Sequence, residues 1–93
     1  MMTRTLTEEQ SIAYTTVSIP LLKKLAQSKR FLTREAVAVN ELATAEILST
    51  LARDGSFRVR IMVAIHPNTS AEDLELLAYD SRIEVQWAVE ERE

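Results

Sequence analysis

The sequence predicts an all-α fold, a short α-solenoid of about three 26-residue two-helix repeats behind an N-terminal capping helix. Three observations carry that reading. Apolar residues recur at spacings of three and four, and the strict alternation of a half-buried strand is absent. One glycine and two prolines in 93 residues leave little material for hairpins or long loops. Most tellingly, the chain repeats itself: Leu22, Leu25 and Ala26 return 26 residues later as Leu48, Leu51 and Ala52, and again as Leu74, Leu77 and Ala78. Phe31, Phe57 and Ile83 keep the same offset, as do Thr33, Val59 and Val85, and Val37, Val63 and Val89. A fixed period of this size marks stacked supersecondary units.

Residues 1–16 fall outside the repeat and supply the cap. Thr7 and Gln10 have the spacing of a capping box, and Ile12, Ala13 and Val17 provide an apolar stripe for packing on the stack. Three units follow, over residues 17–42, 43–68 and 69–93. Each opens on a hydroxyl N-cap, at Ser18, Thr44 and Ser70. Pro20, Glu46 and Glu72 then occupy the first turn, where proline and carboxylates are favoured. The first helix of each unit is expected to reach about Ser28, Asp54 and Asp80. After a short break such as Asp54-Gly55-Ser56, a second helix begins near Phe31, Phe57 and Ile83. It ends at Asn40-Glu41 or at His66-Pro67, where proline stops it. The last unit instead finishes in Glu90-Glu91-Arg92-Glu93, a charged run expected to blunt the open end of the stack.

Composition narrows the function. Without cysteine there is no disulfide, thiolate nucleophile, thiolate-bound zinc or iron–sulfur cluster, and a single histidine excludes a multi-histidine metal site. No cofactor and no catalytic residue set is expected. His66 lacks a motif that would supply a nucleophile or an orienting carboxylate, and reads as a helix C-terminal cap whose cation the dipole favours. An enzyme is not the expectation. The polar start MMTRTLTEEQ has no apolar core of a signal peptide, and no stretch approaches the ~18 apolar residues of a membrane span. A cytoplasmic protein, with its start at Met1 or Met2, is the plain reading.

The segment Val59-Arg60-Ile61-Met62-Val63-Ala64-Ile65-His66-Pro67-Asn68-Thr69-Ser70, continued through Leu74, Leu77-Ala78 and Asp80 to Val85, resembles the leucine-rich repeat variant family. It is similar in spirit to HEAT repeats. His66 stands where that family usually has asparagine, Glu41 where it has proline, and Gln86 where it has arginine. The resemblance implies a right-handed superhelix of alternating short helices, with one of each pair either 3₁₀ or α. It implies a scaffold and no particular activity. The iron–sulfur cluster that some chains with such repeats carry cannot transfer to a sequence without cysteine.

Arg34 and Arg60 recur with Asp54 and Asp80, and are expected to form a structural ladder, Arg60 pairing with Asp54 in its own unit or with Asp80 in the next. Charge is uneven along the chain. Residues 1–34 hold six basic and two acidic side chains, residues 35–93 five basic and twelve acidic. Lys23, Lys24, Lys29, Arg30 and Arg34 could form a basic corner for phosphate backbones, but the net charge of −3 weighs against nucleic acid as the main partner. Trp87 replaces Glu35 and Ile61 of the earlier units, so its position is not bound to be core; it either presents an anchor or folds over the end of the stack. Trp87, Ile61 and Tyr79 are expected to form an apolar patch, with Glu84 and Glu90 beside it. The function expected is a non-enzymatic protein-interaction module, a small adaptor or inhibitor. The alternatives are a nucleic-acid-binding module using the basic corner and self-association through the C-terminal end.

Overall fold

The computed structural model describes residues 6–92; Arg4 of the basic half, Glu93 of the terminal run and the Met1-Met2 start lie outside it. Among the described residues there are seven α-helices and no strand: α1 (Glu8–Thr15), α2 (Ile19–Leu25), α3 (Phe31–Val39), α4 (Ala45–Leu51), α5 (Phe57–Ile65), α6 (Ala71–Ala78) and α7 (Ile83–Glu90). All are α, so no helix takes the 3₁₀ form the resemblance left open.

The helix starts follow from the caps. Thr7 accepts the Gln10 N–H while the Gln10 side chain accepts the Thr7 N–H, closing the capping box. Ser18, Thr44 and Ser70 accept from Leu21, Ile47 and Asp73. α3, α5 and α7 have no side-chain cap of their own. Their entries are set one turn earlier, where Ser28, Asp54 and Asp80 accept the N–H of Arg30, Ser56 and Arg82, two residues on. The first helix of each pair stops short of these residues, at Leu25, Leu51 and Ala78. The N–H groups of Ser28, Asp54 and Asp80 then bond three residues back, to Leu25, Leu51 and Leu77, and tighten the last turn.

The odd-numbered helices pack in series, α1 on α3, α3 on α5 and α5 on α7, and the even-numbered helices lie against them. Close approach is possible because alanines face the contacts: Ala13, Ala36, Ala38 and Ala64 are fully buried. Leu22, Leu48, Leu51 and Leu77 fill the space between the two rows, each contributing on the order of 2 kcal/mol by leaving water. Of the expected stripe on α1 only Ala13 is buried; Ile12 is at the rim and Val17, beyond the helix end, is 80% exposed.

Candidate interaction surface

From α3 onward each packed helix is tied to the next at both ends. On one side Arg34 forks onto Asp54 at 2.7 and 3.1 Å and donates its third nitrogen to the Ser28 carbonyl. One period later Arg60 forks onto Asp80 at 2.8 and 3.1 Å and donates to the Asp54 carbonyl. The pairing is therefore to the aspartate 20 residues on, with the backbone carbonyl six residues back as second partner. These side chains are largely buried. Burial alone would raise the Asp80 carboxyl, but the Arg60 fork and the Arg82 N–H outweigh it and hold the group below its ordinary value. Gln86 keeps the carbonyl half of the contact, to Asp80, and has no guanidinium to extend it.

On the other side, Asn40, His66 and Arg92 occupy one repeat position. Asn40 donates to the carbonyls of Ala13 and Thr16 at the end of α1. His66 Nε2 lies 2.8 Å from the Asn40 carbonyl at the end of α3, and Arg92 donates to the Ala64 and His66 carbonyls at the end of α5. His66 Nδ1 accepts the Asn68 N–H, as Asn40 Oδ1 accepts that of Leu42. A ring that accepts at Nδ1 carries its proton on Nε2. His66 is thus a stand-in for asparagine, buried in the fold, at the C-cap position of α5 where the sequence put it. Arg92, expected only as part of a charged run that blunts the open end, is likewise a clamp.

The basic corner is reduced by this arrangement. Arg34 belongs to the ladder, and Lys23 pairs with Glu46 at 2.9 Å in an exposed contact between α2 and α4. Each partner holds the other charged: the hydrogen bond raises the lysine and lowers the glutamate. Lys24, Lys29 and Arg30 are exposed, with no ion pair among the described residues.

The expected apolar patch is divided. Trp87 is 54% exposed on α7, where its equivalent Glu35 is only 8% exposed beneath the Arg58 fork. Ile83 one turn before it is also half exposed, and Glu90 one turn after continues the stripe. Glu84 is drawn aside by Arg82, whose guanidinium bonds it, keeps its carboxyl below the usual range, and stacks 3.7 Å from the Phe57 ring centre. Ile61, on α5 where α7 packs against it, is partly buried against the core; it is a packing residue more than an anchor. Tyr79, 85% exposed at the end of α6, lines a groove with Arg53, Glu72, Glu75 and Leu76, on the side of the even-numbered helices. Ile83 was not among the expected patch residues; its helical spacing from Trp87 is the signal that could have found it.

Among the described residues no group of acidic or histidine side chains is placed to hold a metal ion, and no helix is long and apolar enough to cross a membrane. No curated protein and no solved structure matches the chain. The family model of the leucine rich repeat variant matches residues 57–82, a span that starts with α5, includes α6, and holds Arg60, His66 and Asp80. It is as long as the period read from the sequence, but begins at the second helix of one expected unit and ends inside the next. Over residues 57–82 the chain is similar to the leucine rich repeat variant, as the resemblance read from the sequence anticipated.

Proposed function

We propose that the chain is a protein-interaction module: a right-handed α-solenoid of three two-helix units, over 17–42, 43–68 and 69–93, capped by residues 1–16. It acts without catalysis, as an adaptor or inhibitor in the cytoplasm, and offers the free face of α7 to a partner protein. One observation carries this reading. The position that is buried at Glu35, and partly buried at Ile61, holds a tryptophan at Trp87 with more than half its surface open. A large aromatic side chain on an unpartnered stripe is the usual composition of a binding hot spot. Glu90 and Glu91, exposed beside it, favour a partner with basic residues around an apolar centre.

The test is capture of partners from native lysate on tagged protein, with and without nuclease, comparing the wild-type chain with Trp87→Ala. A nuclease-resistant protein recovered in stoichiometric amount, and lost with Trp87→Ala while the helical circular-dichroism signal is kept, supports the reading. Equal capture by the variant removes α7 as the surface. Recovery that depends on nucleic acid and falls steeply with salt would transfer the function to Lys24, Lys29 and Arg30. Recovery of the chain alone would mean that copies associate with one another.

A further inference from the structure

We infer a second binding surface, a groove along the C-terminal edge of α1, α3 and α5 that takes an extended peptide with one Lys or Arg between two apolar side chains. Asn40 and His66 bond carbonyls at the ends of α1 and α3, so these helices and α5 finish side by side along one edge. Two adjoining cavities open there, of about 310 and 370 Å³, and they share Val39 and Glu41. Ile65 and Met62 wall the first; Val17 and Leu42 wall the second. Four of these apolar side chains are exposed beyond what packing requires: Val17 80%, Ile65 51%, Leu42 43% and Val39 37%.

Charge selects the occupant. Glu41 is the one carboxylate in the lining of either cavity, and neither is lined by Lys or Arg. His66, which also lines the first, has both ring nitrogens engaged by the Asn40 carbonyl and the Asn68 N–H. The C-termini of α1 and α3 add negative potential along the same edge, while at the end of α5 the Arg92 guanidinium bonds the Ala64 and His66 carbonyls and offsets it. An acidic segment would be repelled, and a wholly apolar one would leave Glu41 to be desolvated without a partner. A cationic side chain at the junction of the cavities, with an apolar residue falling into each, satisfies both the walls and the charge. Trp87 lines neither cavity, so this surface stands or falls independently of it.

The probe is a set of three fluorescein-labelled nonapeptide pools, with the central residue fixed as Arg, Glu or Ala and the flanks varied over Leu, Ile, Val, Phe and Ser. Their binding to the full chain is read by anisotropy. The Arg-centred pool is expected to bind about tenfold more tightly than the Glu-centred pool. Glu41→Gln, a substitution at an exposed side chain, should abolish that preference with circular dichroism unchanged. Ile65→Ser should weaken the Arg and Ala pools alike, and Trp87→Ala should alter neither. Equal binding of the Arg and Glu pools, a preference that survives Glu41→Gln, or loss of binding with Trp87→Ala would each overturn the assignment.

Discussion

The two ends of the packed helices solve one problem with different chemistry. At their N-terminal side, successive steps use the same residues, an arginine fork on an aspartate, Arg34 on Asp54 and Arg60 on Asp80. At their C-terminal side the same position is filled by Asn40, His66 and Arg92, which share only a donor aimed at the preceding helix's last carbonyls. The fork is demanding because two charges must be buried together in matched geometry. The carbonyl clamp is tolerant, because any donor of suitable reach satisfies it. What repeats along this chain is a bonding geometry, and residue identity repeats only where the chemistry allows no substitute.

The largest effect should therefore come from breaking a fork. Arg60→Ala leaves Asp80 without its guanidinium and the Asp54 carbonyl without its donor, and should cost about 3 kcal/mol in denaturant unfolding. Arg60→Lys should recover only a minor part, since an ammonium cannot fork. At the tolerant end, His66→Leu strands the Asn40 carbonyl and the Asn68 N–H and should cost about 2 kcal/mol. His66→Asn should stay within about 1 kcal/mol, because the amide reproduces both bonds at the position where Asn40 already does so. Equal losses for the two His66 variants would mean that the ring's shape, not its bonding, is what the site needs.

The smallest effect is one of pH. Asp80 is held below its unfolded value by Arg60 and the Arg82 N–H, so its contribution is full above the ordinary carboxylate range and is lost as pH falls through the folded value. Acid unfolding monitored by circular dichroism should steepen below about pH 4, and Asp80→Asn should flatten that limb while lowering stability at neutral pH.

Much of the fold was legible because its signals are local and periodic. Ser18, Thr44 and Ser70 announced helix starts, and the starts at Phe31, Phe57 and Ile83 fell where the offset put them. The arginine ladder was visible too, since both partners recur, though sequence could not choose between Asp54 and Asp80 for Arg60. The clamp row was hidden by its changing residues: His66 read as a helix cap and Arg92 as part of a charged run, and neither clamp is deducible without knowing which carbonyls lie opposite. Surface membership was the least legible. Ile61 and Trp87 share a repeat position, yet one is packed against the core and the other is more than half exposed, and Tyr79 lines a groove that includes neither.

Trp87 is the sole tryptophan, so the state of the α7 face can be read directly from its emission in the free chain. A half-exposed indole predicts an emission maximum and acrylamide quenching well above those of a buried tryptophan, and a blue shift when a partner binds. A blue-shifted, poorly quenched emission that does not change on dilution would show the indole folded over the end of the stack, and would contradict α7 as a binding surface.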